Sequence, residues 1–262
     1  LSMTTFAQVH DEISSAMEEF DYDKVINLIS PGTKDSLLLS TRIQALKAMN
    51  RYPEAIVDLT SLFVKDTTDT KILIDLAECY KLMGSPRQAA DYYRKAVSLR
   101  PNNKFFRLQY IRSLLNAENF KEARDACHGW LEQDTVSATG YKYLGQAYEG
   151  MQDIPNAFFS YNVAYRRDSL DAQTVARIAN IFNNNRQFTD AIDVTECYRL
   201  SDTTSVDVNR QNAKAYCMLK DYKKAIERYE SLKRMGDRSF LTFYYLGISY
   251  YGDNWFYSSY DN

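Results

Sequence analysis

Apolar residues recur along this chain with the three-to-four-residue spacing of helices. The stretch Thr70–Asn103 shows the pattern most plainly. Leu76, Ala77 and Tyr80 mark the inward stripe of one short helix, and Ala89, Tyr93 and Ala96 that of a second. Met83-Gly84-Ser85-Pro86 divides them and Pro101 closes the stretch. Ser85 suits an N-cap, Pro86 suits a first helical position where a missing donor costs nothing, and Gln88 can bond back.

The helical pair repeats. Steps of 34 residues from Ala89 land on Ala55, Ala123, Ala157, Ala191 and Ala225. Where two helices cross at about 8–10 Å, a small side chain lets the backbones approach. The spacing therefore predicts six repeats, 36–69, 70–103, 104–137, 138–171, 172–205 and 206–239. Counting from the first residue of each, Ala138–Asp171 repeats the framework of Thr70–Asn103 with Tyr141, Leu144, Gly145, Tyr148, Ala157, Tyr161 and Ala164. The repeat at 36–69 places Ile43, Leu46, Tyr52, Ala55, Leu59 and Leu62 inward. Residues 8–35 form a divergent hairpin, with Val25 in the alanine's place and Pro31-Gly32 cutting its second helix short, as a terminal unit of an array requires. Residues 240–262 restart the pattern with Phe243, Leu246, Gly247 and Tyr250, and stop where a second helix is due.

In period and in its alternation of large and small positions, this framework resembles the tetratricopeptide repeat family. The resemblance implies an all-α fold, a right-handed α-solenoid of antiparallel helix hairpins, and a protein-binding role. It further implies that positions 2, 5, 9, 12 and 13 of the first helices line a concave groove. Carried over, those positions hold Lys47, Lys71, Lys81, Arg112, Lys142, Arg210 and Lys214 against Glu78, Glu149 and Asp207. The groove is thus net positive on a chain of net charge −2, so the remaining surface is acidic. The expected peptide contact is Arg112, Lys142, Gln146, Asn180, Asn183, Asn184, Arg210 and Lys214. Side-chain amides donate and accept together, which suits a peptide backbone; a plain inter-helix turn also explains Asn183-Asn184-Asn185. Some family members grip a C-terminal carboxylate with lysine at position 5 and asparagine at position 9. This chain departs from that pattern, pairing Lys142 with Gln146 and Ala176 with Asn180.

Composition narrows the function classes. The 21 tyrosines fall mainly on framework positions and read as core filler with a wet hydroxyl edge. Nine glycines are too few for Gly-rich loops or β-architecture at this length. Cys79, Cys127, Cys197 and Cys217 lack metal-ligand spacing, and Cys79 and Cys127 read as small buried hydrophobes. His128 follows Cys127, but neighbours on a helix point about 100° apart and do not make a nucleophile–base pair. Trp130, where a small residue is usual, predicts a wider gap between adjacent hairpins. Lys220, Lys223, Lys224 and Arg228 interleave with Asp221, Glu227 and Glu230, which reads as a solvated face and not a nucleic-acid stripe.

The reading is a non-catalytic scaffold binding a protein or peptide segment, with no cofactor, no metal, no nucleic acid and no membrane insertion. Its alternative is the sensing or interaction portion of a larger multidomain protein, whose activity lies beyond residue 262. The aromatic end Trp255–Tyr260 favours that alternative, or self-association. Two readings fit residues 1–7. As the end of a bacterial secretory signal, with Thr5 and Ala7 at the cleavage site, they place the chain in the periplasm or cell envelope. As a leader ahead of an initiating Met3, they leave it cytoplasmic.

Overall fold

In the computed structural model the backbone is described for residues 3–260 and the side chains for residues 8–254. Among the described residues every regular element is an α-helix. The terminal hairpin is α1 (Met3–Glu18) and α2 (Tyr22–Leu28). The repeats follow as α3 (Ser36–Ala48) with α4 (Tyr52–Lys65), α5 (Thr70–Leu82) with α6 (Pro86–Leu99), and α7 (Lys104–Asn116) with α8 (Phe120–Leu131). Then come α9 (Ala138–Gly150) with α10 (Ile154–Arg167), α11 (Ala172–Asn184) with α12 (Phe188–Arg199), and α13 (Val206–Met218) with α14 (Tyr222–Arg234). The chain divides into two compact units, residues 1–123 and 124–262, the division falling inside α8.

Each first helix begins on the first residue of its repeat, and the cause is a second ladder in the sequence. Asp35, Asp69, Asn103, Ser137, Asp171, Ser205 and Ser239 stand 34 residues apart. Each accepts a hydrogen bond from a backbone N–H of the helix it precedes. Such caps satisfy donors that the helix itself leaves unpaired.

The turn inside each hairpin is equally uniform. Position 15 adopts positive φ in every repeat: Asn50, Gly84, Glu118, Gln152, Arg186 and Lys220, with Phe20 its counterpart in the terminal hairpin. The next N–H then reaches back to the carbonyl of position 11, as from Ser85 to Tyr80 (2.9 Å) and from Gln187 to Phe182 (2.8 Å). This is a Schellman closure. The residue that closes it also opens the second helix, so two helices reverse with almost no loop. Glycine is the strain-free choice at positive φ, yet only Gly84 supplies it among the six repeats.

The alanines of the first ladder are fully buried in all six repeats, and Val25 takes that place in the terminal hairpin. Within the second unit α9 and α10 approach so closely at Gly145 that a Cβ there would lie 2.6 Å from the Tyr161 ring. That ring is itself fixed, buried with its hydroxyl donating to Glu149 (2.6 Å). Gly145→Ala is expected to lose about 1–2 kcal/mol of stability, overpacking outweighing the roughly 1 kcal/mol that alanine gains in a helix. Thermal denaturation of the variant checks this, and a rise in melting temperature would refute it.

Several expectations need correction. The position-24 tyrosines Tyr93, Tyr161 and Tyr229 are wholly buried, and the hydroxyls of Tyr93 and Tyr229 are enclosed instead of wet. Burial, with Glu78 adding, pushes the Tyr93 phenol up to about 12. No such correction applies to Trp130, which is buried as a structural residue, its indole N–H enclosed without an acceptor. The last piece forms a single helix, α15 (Phe240–Tyr260), which runs on through the point where a second helix was due to begin. The expectations for Trp255–Tyr260 and for residues 1–7 rest on side chains outside the described residues.

Candidate functional site

The residues expected to form a groove lie on the first helices. Arg112 belongs to the first unit and the other seven to the second, so they do not form one described site. Arg112 and Asn184 are exposed, and Asn180 is half-buried.

The cations are mostly committed within the fold. Lys142 bonds Asp171 (3.0 Å), the cap that opens the next repeat. Arg210 bonds Asp237 (3.0 Å) and Asp207 (2.8 Å). Lys214 donates to the Asn184 side chain (3.3 Å). Asn183 is buried, its amide donating to the backbone carbonyl (3.0 Å) and side chain (3.1 Å) of Gln211. Gln146 has its amide nitrogen enclosed without an acceptor. Of these, Asn183 bonds across to the following repeat, while Lys142 and Arg210 pair with carboxylates of their own repeats.

The Asn183 bond belongs to a recurring set. At three junctions position 12 of one first helix meets position 6 of the following one: Lys47 with Asp75, Glu149 with Arg177 (3.0 Å), and Asn183 with Gln211. The chemistry of the rung changes from ion pair to amide pair while its place is kept. These rungs tie adjacent first helices together and occupy Lys47, Glu149 and Asn183 among the groove-facing residues.

What stays open is a cleft of about 340 Å3 in the second unit, lined by Gln173, Ala176, Arg177, Asn180, Asp207 and Gln211. It exists because position 5 of that repeat is alanine, whereas Lys142 and Arg210 fill position 5 in the repeats on either side. Its wall offers amides, a guanidinium and a carboxylate.

Two features near this surface are structural. Arg228, expected on a solvated face, turns inward and donates to Asn212 (3.1 Å) and Glu196 (3.2 Å). Asp237 closes the turn before α15, accepting from the Ser239 N–H (2.9 Å), the Thr242 hydroxyl (2.8 Å) and Arg210. Burial alone would raise its pKa, but those donors outweigh burial and hold it down at about 2. A carboxylate so depressed stabilises the fold above its unfolded pKa near 4 and loses that contribution as pH falls toward 2. Acid titration of stability is therefore expected to show about 2 kcal/mol lost between pH 4 and pH 2. The Asp237→Asn variant should lack that slope, and an unchanged slope would contradict the assignment.

Among the described residues Cys127 and His128 do not form a nucleophile–base pair. The Cys127 thiol is buried, and burial pushes it up to about 12, while His128 is exposed and lies 3.3 Å from the Tyr148 hydroxyl. Among the described residues no cluster of three His, Cys, Asp or Glu side chains could hold a metal. None of the described helices is long and apolar enough to cross a membrane.

Residues 70–103 match the tetratricopeptide repeat family. The chain is 34% identical over 137 residues to the DnaJ homolog subfamily C member 7 homolog of Dictyostelium discoideum, covering 52% of this chain and 23% of that protein. The chain thus spans about a quarter of that relative's length. A tetratricopeptide repeat protein from Parabacteroides merdae has a similar structure, with a TM-score of 0.61 at 13% identity, covering 94% of this chain and 99% of that one. PilF of Pseudomonas aeruginosa gives a TM-score of 0.60 at 16% identity, over 88% of this chain and 98% of that one. The fold is therefore that of tetratricopeptide-repeat proteins, and residues 70–103 match the sequence of that repeat.

Proposed function

We infer that the chain is a non-catalytic scaffold whose second unit binds an extended peptide segment of a partner protein along α11 and α13. The observation that carries this reading is the cleft at Ala176 and Asn180, left open while its neighbours' position-5 cations are bonded within the fold. An extended peptide has donors and acceptors on its backbone and needs both answered. Asn180, Gln173 and Gln211 can do so, since each side-chain amide donates and accepts. Arg177 and Asp207 at the same wall select for charge on the peptide's side chains. Asn184 and Lys214 of the same unit contribute further polar contacts, while Lys142, Arg210 and Asn183 brace the hairpins around them.

The test is selection of displayed random peptides on the immobilised chain, followed by affinity measurement with two variants. Asn180→Ala removes the amide, and Ala176→Lys fills the cleft with a side chain that the preceding repeat already accommodates at that position. Selected peptides should bind both variants at least about tenfold more weakly, a loss of about 1.4 kcal/mol or more. Unchanged affinity in both would remove the cleft from consideration.

A further inference from the structure

The first unit contains a larger cavity, about 530 Å3, between α3 and α4 of one repeat and the start of α5. Its floor is apolar, made by Ile43, Leu59, Leu62 and Ile72, and its wall on α3 is small and polar, made by Ser36 and Ser40. Ser40 is position 5 of its repeat, and Asp69, also on the lining, is the residue that closes the repeat and caps α5.

The same two places are filled and bonded in the second unit. There position 5 is Lys142, whose ammonium reaches Asp171, the closing cap of its own repeat. Asp171 uses one carboxylate oxygen for the cap and the other for the lysine. Asp69 likewise spends one oxygen on the N–H groups of Lys71 and Ile72, and among the described residues no cation reaches the other. The lysines around the cavity do not substitute. Lys47 is held by Asp75 and Glu78, Lys65 turns to the Lys34 carbonyl and the Ser36 hydroxyl, and Lys71 points to solvent at the rim.

We propose that this cavity receives a lysine or arginine side chain of a partner protein, which completes in trans the position-5 ion pair that Lys142 and Asp171 make in cis. The aliphatic stem lies over Ile43, Leu59, Leu62 and Ile72 and buries apolar surface while the charged head stays at the polar end. The head meets the free oxygen of Asp69, a charge-assisted bond stronger than a neutral one. The site is separate from the cleft of the second unit, so either can fail without the other.

The probes are blocked tripeptides, acetyl-Gly-X-Gly-amide with X lysine, arginine, norleucine or glutamate, titrated into the full chain while backbone amide shifts are followed by NMR. The lysine and arginine peptides are expected to shift the amides of Ser40, Asp69 and Ile72. Norleucine, which keeps the stem and lacks the charge, should bind at least about fivefold more weakly, and glutamate should not bind. Two variants separate recognition from folding. Asp69→Asn keeps the cap, as Asn103 does one repeat later, and should abolish the preference for lysine over norleucine without lowering the melting temperature. Ser40→Lys installs the missing cation and should both raise the melting temperature and block the basic peptides. Equal binding of norleucine and lysine peptides, binding that survives Ser40→Lys, or no shift at these amides would each overturn the proposal.

Discussion

Replacing Asp58 by alanine is expected to destabilise the first unit by about 3–5 kcal/mol, because it strands a buried cation. Arg42 stands at position 7 of its repeat, where Leu76, Leu144 and Ile178 stand in others. Its side chain is 5% exposed, and its partner Asp58, facing it from α4, is 2% exposed. Glu54 lies 3.9 Å from the guanidinium but is half open to water, so it answers little of the charge. Burial is the largest influence on Asp58 and pushes its carboxyl upward, against the pull of Arg42. Much of what the ion pair returns is therefore consumed in desolvating it. The double change Arg42→Leu with Asp58→Ala removes both charges and should leave stability within about 1 kcal/mol of the parent. Urea denaturation followed by circular dichroism reads both variants. A single-variant loss below about 1 kcal/mol would show that the pair is not the buried contact described.

The second large effect belongs to Glu196. One of its oxygens accepts from Asn212 (3.0 Å), Tyr216 (3.1 Å) and Arg228 (3.2 Å), and the other faces Arg199 (3.5 Å). Asn212 is wholly buried and the arginines nearly so, so removing the acceptor leaves several donors without water to replace it. Burial would raise the Glu196 pKa, but Asn212, Arg228 and Tyr216 outweigh it and bring the pKa below its usual value. Glu196→Ala should cost about 2–4 kcal/mol. Glu196→Gln, which keeps an acceptor and loses the charge, should recover about half. Thermal denaturation of the pair decides, and equal losses would mean that packing and not acceptance matters at this position.

How far the sequence could be read differs from one feature to the next, and the difference is physical. The alanine ladder was legible because close helix crossing admits only small residues, and every ladder alanine is buried. The cap ladder from Asp35 to Ser239 carries the same 34-residue period and fixes where each first helix starts, but Asp, Asn and Ser look like different residues until their shared capping role is considered. The left-handed turn was hidden, since Glu118, Gln152, Arg186 and Lys220 give no local hint of positive φ. The inward turn of Arg228 is invisible in sequence, because alternating charge along a helix does not say which member turns inward. Asn183 and Lys142 were placed from positions within one repeat, but their partners, Gln211 and Asp171, lie at or beyond the repeat's end. Only the packing of successive hairpins makes those partners neighbours. The openings at Ser40 and Ala176 follow the same logic: a small position 5 is unremarkable in sequence and becomes a cavity only beside its neighbours.

The scaffold reading is tested most directly by mapping where a selected peptide binds. With the tightest peptide from the display selection added to the labelled chain, backbone amide shifts should cluster on α11 and α13, around residues 173–184 and 207–214. Intermolecular contacts from the peptide backbone should reach the Asn180 side-chain amide. Shifts confined to α12 and α14, or to α15, would contradict the account and move the binding surface to another face of the repeats.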